Sequence, residues 1–90
     1  MYSIEFTNRY LRDLKLARKR NLPEDELNHV IQQLSLGKQL DIKYKDHTLK
    51  GKYAGLRECH IKPDWLLVYH KNEEIKILTL LYTGTHSDLF

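Results

Sequence analysis

Apolar and polar residues alternate at the start of the chain, with Tyr2, Ile4 and Phe6 on one side and Ser3 and Glu5 on the other. A period of two predicts a half-buried β-strand over 2–6. The period then lengthens. Tyr10, Leu14 and Ala17 fall on one stripe, flanked by Leu11, while Arg12, Lys15 and Lys19 fall opposite. That is an amphipathic helix with a basic outer face. Thr7 or Asn8 caps it, because a side-chain oxygen there accepts the free amides of the first turn. Asn21-Leu22-Pro23 breaks this helix and opens a second. Pro23 suits a first helical turn, where its missing amide is harmless, and Glu24, Asp25 and Glu26 follow at the positive helix end. Leu27, Val30, Ile31 and Leu34 repeat at i, i+3, i+4 and i+7, and Gly37 ends the helix. Two short helices across a tight turn form an αα-hairpin.

Residues 38–46 have no period and read as a loop carrying Lys38, Lys43, Tyr44 and Lys45, followed by Asp46-His47. Strand-like patterning resumes at Thr48. A weak strand over 49–53 is interrupted by Gly51, and a firmer one covers 56–61. Lys62-Pro63-Asp64 makes a turn into a strand over 65–70. Asn72-Glu73 is the next hairpin tip, before a long apolar strand over 75–82. Leu66, Leu67 and Val68 are apolar on both faces, so their strand is central. The order β-α-α-β-β-β-β describes one α+β domain over 1–90, with the helical hairpin packed on one face of an antiparallel-rich sheet. The opposite face is left open for a site.

Composition narrows the class. A hydrophobic share of 41% and a charged share of 30% are those of a folded soluble protein. Ninety residues enclose no large cofactor cavity, and none is expected. The longest apolar run, from Trp65 to Tyr69, is far too short to span a bilayer. Glu5, Arg9, Arg12 and Asp13 stand where a signal peptide would be apolar, and the lone Cys59 has no disulfide partner, so the cytoplasm is the expected compartment. The net charge of +3 suits a polyanionic partner such as RNA, or an acidic protein.

Candidate chemistry lies in the strand half. His47, His60, Asp64 and His86 each adjoin a turn or a strand end. A pair of histidines can serve as general base and general acid near neutrality. Cleavage of RNA by its own 2′-hydroxyl needs such a pair and a cation beside the phosphate, without a metal. Lys50, Lys52, Arg57 and Lys62 offer charge, and Tyr53, Trp65 or Phe90 offers a stacking ring. A plainer reading also stands, in which His60 is a hydrogen-bonded strand residue, Asp64 a turn former and Phe90 a core plug. No His-x-x-x-His or Cys-x-x-Cys pair points to a metal. Cys59 and His60 alternate across a strand, which argues against a thiol nucleophile.

Three segments together resemble a known family. Asp46-His47-x-Leu49-x-Gly51, Arg57-Glu58-Cys59-His60-Ile61-Lys62-Pro63-Asp64-Trp65-Leu66-Leu67-x-Tyr69 and Thr83-Gly84-Thr85-His86-Ser87-Asp88-Leu89-Phe90 are similar to the YafQ branch of the RelE/ParE toxin superfamily. The resemblance covers the whole chain and implies a small RelE-like fold. It also implies a type II toxin that cuts messenger RNA in the ribosomal A site without a metal or cofactor and is held by an acidic, DinJ-like antitoxin. Carried over, the active residues are His47, His60, Asp64, His86 and Phe90, with Trp65 beside the site. The chain departs at Tyr82, where related toxins carry a phosphate-stabilising arginine. Lys50, Lys52 or Arg57 is expected to compensate. A non-cleaving module of the same fold, either a ParE-like gyrase inhibitor or an RNA-binding domain, is the alternative that Tyr82 favours.

Overall fold

A computed structural model of the protein describes residues 1–89. Strand β1 (Ser3–Phe6) leads into helices α1 (Asn8–Lys19) and α2 (Glu24–Ser35). Strands β2 (His47–Thr48), β3 (Arg57–Lys62), β4 (Trp65–Asn72) and β5 (Ile77–Gly84) follow, and a single turn of helix, α3 (His86–Leu89), comes last. The five strands form one sheet in the order β1-β5-β4-β3-β2. β1 runs parallel to β5, and every other pair is antiparallel. The order expected from the sequence is therefore present, with α3 added.

Local chemistry explains the helix limits. Thr7 caps α1, its hydroxyl accepting from the Tyr10 amide at 3.0 Å. Asn21 closes α1 in the left-handed region at φ 55°, with Leu22 N–H donating to the Ala17 carbonyl and Asn21 N–H to that of Arg18. Gly37, at φ 76°, closes α2 through the same pair of reversed bonds, from Lys38 to Gln33 and from Gly37 to Leu34. α3 has a reciprocal cap. Thr85 N–H donates to Asp88 Oδ2, and Asp88 N–H donates to the Thr85 hydroxyl.

The sheet separates two apolar clusters. On the helix side, Cys59, Leu67, Tyr69, Leu78 and Leu80 pack against Tyr10, Ala17, Leu27, Val30 and Leu34. On the other side, Leu66, Val68, Tyr82 and Leu89 form a smaller cluster, with Leu49, Leu56 and Leu81 against it. This second face is thus not fully open, because residues 49–56 and α3 roof part of it. A bulge lets β5 serve both clusters. Val68 pairs with Tyr82 but Tyr69 with Leu80, and the skipped Leu81 joins the smaller cluster.

Several expectations change. β1 is not half-buried. All four of its residues are exposed, with Ile4 at 43% and Phe6 at 54%, because an edge strand paired only to β5 stays outside the packed layers. The strand placed at 49–53 is instead the two residues of β2. Gly51, at φ 67°, bends the chain into a 3-10 turn at Gly51–Tyr53, and the Leu49 amide closes the loop on the Leu56 carbonyl. A second 3-10 turn, Ile42–Tyr44, lies in the expected loop. β5 starts at Ile77 because Asn72 Oδ1 takes the Glu74 and Ile75 amides and Lys76 turns at φ 55°.

Candidate active site

Pairing register assembles the site. Glu58 and His60 stand two apart on β3 and share a face. His47 on β2 pairs with Glu58, so its ring meets the same face. His60 pairs with Leu66, which pairs with Gly84. That rung places the end of β5, and His86 just beyond it, beside His60. Asp64 comes from the β3–β4 turn. The result is a row of three imidazoles. His47 and His60 lie 6.1 Å apart between ring centroids, and His60 and His86 lie 5.7 Å apart.

Asp64 fixes one end of the row. Its Oδ1 accepts from the His86 ring Nδ1 at 2.8 Å and from the His86 backbone amide at 3.1 Å. The ring bond first, and the amide second, hold the Asp64 carboxyl below its ordinary range. With Nδ1 donating to a carboxylate, His86 turns Nε2 outward. At the other end His47 Nδ1 donates to the Lys45 carbonyl at 2.6 Å, which leaves Nε2 facing Glu58 Oε1 at 3.4 Å. The same Glu58 oxygen lies 3.8 Å from His60 Nε2. Glu58 is only 5% exposed. Sequence reasoning did not single it out, although its i, i+2 spacing from His60 was the available signal. His47, Glu58 and His60 each offer one ligand atom, all within 4.8 Å of one another. Two imidazoles and a carboxylate suit copper or zinc.

The four expected proton-transfer residues therefore converge, but the expected binding residues divide. Trp65 is 1% exposed in the helix-side core, so it cannot stack on a base. Arg57 points to that same side. Its guanidinium forks onto Asp46 at 3.0 and 3.4 Å, and the Tyr69 hydroxyl donates to Asp46 as well. Strand alternation puts 57 and 60 on opposite faces, so Arg57 cannot supply the missing charge. Cys59 is fully buried there too, and burial pushes its thiol far up. Lys50 and Lys52 are exposed on the 49–56 loop, with Lys52 Nζ 5.2 Å from the Tyr53 ring centroid. Tyr82 is 8% exposed on the site face, beneath the Arg9 guanidinium, and burial raises its phenol above the ordinary value. Phe90 lies outside the described residues.

Comparison with known proteins matches this arrangement to one family. Residues 2–90 fit the family described as "Bacterial toxin of type II toxin-antitoxin system, YafQ". The chain belongs to the YafQ toxin family. It is 39% identical over 89 residues to the mRNA interferase toxin YafQ of Escherichia coli K12, covering 97% of this chain and 94% of that one. The crystal structure of a metal-bound toxin from Helicobacter pylori superposes with a TM-score of 0.94 at 41% identity, over the full length of both chains. The YafQ of the E. coli DinJ–YafQ toxin–antitoxin complex does so at 0.90 and 38%, covering 99% of this chain and 97% of that one. The mixed five-stranded sheet and its helices are thus the YafQ fold, and the chain is a toxin of the type II class.

Proposed function

We propose that this YafQ-family toxin is an endoribonuclease that cuts messenger RNA in the ribosomal A site by side-chain acid–base chemistry. The observation that carries the reading is the Asp64–His86 bond beside His60. Asp64 holds His86 by its ring Nδ1 and its backbone amide and leaves Nε2 outward, which places His86 to serve as the acid. His60, its ring centroid 5.7 Å from that of His86, is the base. His60 takes the 2′-hydroxyl proton as O2′ bonds to phosphorus. The P–O5′ bond breaks, and His86 Nε2 gives its proton to the departing 5′-oxygen. The products are a 2′,3′-cyclic phosphate and a 5′-hydroxyl.

A metal at His47, Glu58 and His60 would be a Lewis acid there, but it would occupy the lone pair the base needs. Cleavage is therefore expected to survive a chelator and to fall when copper or zinc is added. The partner is an acidic, DinJ-like antitoxin segment laid along the exposed Arg12, Lys15 and Lys19 of α1. A toxin of ribosomes works in the cytoplasm. No helix among the described residues is long and apolar enough to cross a membrane.

The test is cleavage on programmed ribosomes by wild type and His86→Ala, with a chelator present. A-site cuts by wild type alone support the reading. Equal cutting by both proteins removes His86 from it. No cutting by a folded wild type turns the assignment to a non-cleaving binding module.

A further inference from the structure

Tyr82 leaves the active face without the fixed positive charge that a cleaved phosphate needs, and the expected substitutes do not fill the gap. Arg57 is spent on Asp46 across the sheet, and Lys50 and Lys52 sit on an exposed loop. A different cation is in place. The Arg9 guanidinium lies 4.1 Å above the centroid of the Tyr82 ring. Tyr82 is on the rung Glu58–Val68–Tyr82, so Arg9, reaching from the first turn of α1, stands over the site face itself.

The placement is built. The Tyr82 ring is more than nine-tenths buried, and its hydroxyl finds no hydrogen-bond partner among the described residues. It therefore works as an apolar platform whose π-face attracts a flat cation. Asp13 steers that cation from one turn further along α1. Its Oδ2 lies 3.8 Å from Arg9 Nε and accepts from the Thr83 amide at 3.2 Å, which ties the pair to β5. A guanidinium stacked by its face still presents its N–H edge, and its side chain is 46% exposed. We infer that Arg9, held on Tyr82 and steered by Asp13, is the residue that binds the substrate phosphate in this toxin. Here a tyrosine on the strand shelves an arginine from the helix.

This inference rests on the cleavage reading, and one set of proteins separates their failures. Single-turnover cleavage is measured for wild type, Arg9→Ala, Arg9→Lys and Arg9→Ala/Tyr82→Arg. Salt-dependent binding of a single-stranded RNA is measured for His86→Ala with and without Arg9→Ala. The expected result is a loss of about 10²-fold for Arg9→Ala, partial activity for Arg9→Lys and recovery in the double variant, with the wild-type melting temperature kept by Arg9→Ala. The log–log salt slope should flatten by about 0.7, one phosphate contact on a single strand. Arg9 is exposed, so its loss leaves the fold intact. The salt slope decides the matter even where Tyr82→Arg disturbs the cluster beneath it. An Arg9→Ala rate within about threefold of wild type, or an unchanged salt slope, overturns the assignment, the expected 10²-fold loss being far larger. A wild type that cuts nothing, or a His86→Ala that cuts fully, overturns the cleavage reading instead.

Discussion

The two faces of the sheet are held together by opposite means. The helix side is a dry core, where Leu27, Val30, Leu67, Tyr69 and Leu78 are fully buried. Even its charged pair, Arg57 and Asp46, is closed by the Tyr69 hydroxyl. The active face has a small apolar floor of Leu66 and Val68, and above it the functional side chains hold one another by polar contacts in partial exposure. His86 is 54% exposed and Asp64 67%. A packed core tolerates no reacting partner. A polar face on a rigid floor can keep groups positioned and still admit RNA. Stability and chemistry are thereby assigned to opposite sides of the same three strands, and substitutions on the two sides should separate them.

The largest effect is expected from removing the proposed acid. His86→Ala is expected to lower cleavage by about 10²- to 10⁴-fold, the usual worth of a positioned proton donor. Its melting temperature should stay at the wild-type value, because the ring is exposed and only Asp64 loses a partner. A melting temperature that fell in step with activity would show that the active face also carries stability, and the contrast would fail.

Leu67→Ala tests the opposite side. Leu67 is fully buried in the helix-side cluster, and its truncation should cost about 2–5 kcal/mol of folding stability. The fraction that remains folded at low temperature should cleave at the wild-type rate. Denaturant unfolding with active-site titration measures both quantities. A slow but fully folded variant would mean that core packing reaches the imidazole row.

Gly84→Ala probes the seam between the faces. A Cβ there would meet Asp88 Cβ and Oδ2 at 3.0 Å and Leu89 Cδ2 at 3.4 Å, so α3 must shift and carry His86 with it. A loss of roughly 10- to 10²-fold in rate is expected, since small displacements of a catalytic group are felt that strongly. The loss of stability should be about 1–3 kcal/mol, from crowding.

Much of this division was legible in the residues, and what was missed has identifiable causes. Helix periods and caps are local, so Thr7, Gly37 and the apolar stripes placed α1 and α2 well. Strand alternation also held the information that Arg57 and His60 face apart, yet a motif read as a string of letters hid it. Trp65 shows the same error. Next to the site in sequence, it is on the other side of the sheet in space. The i, i+2 spacing of Glu58 from His60 was readable, but its place between two histidines comes from pairing β2 with β3, which no local pattern reveals. β1 alternates like a half-buried strand, but whether anything covers an edge is decided by the layers around it. α3 was readable from Thr85 and Asp88, a threonine followed three residues later by an acid, and was missed because one turn of helix leaves no period. Arg9 could not have been found. Its place over Tyr82 depends on the parallel docking of β1 beside β5, which sets where α1 begins.

The smallest effect tests the polar side by pH. Asp88 caps α3 and takes Arg20 Nη1 on Oδ2 at 2.8 Å, which above all, with the Thr85 amide, holds its carboxyl down at about 2. Asp64 is lowered in the same direction by His86. A carboxyl lowered on folding binds its proton more readily when unfolded. Its stabilisation is therefore complete above the ordinary value near 4 and fades as pH falls toward about 2. Both groups are solvent-exposed, so the Asp88 contribution should be under about 1 kcal/mol. Wild type should melt slightly above Asp88→Asn at neutral pH, and the gap should close between about pH 4 and pH 2. A gap that persisted below pH 2 would mean that Asp88 acts through packing against Gly84 and not through its charge. The helix carrying His86 would then belong with the core side of the sheet.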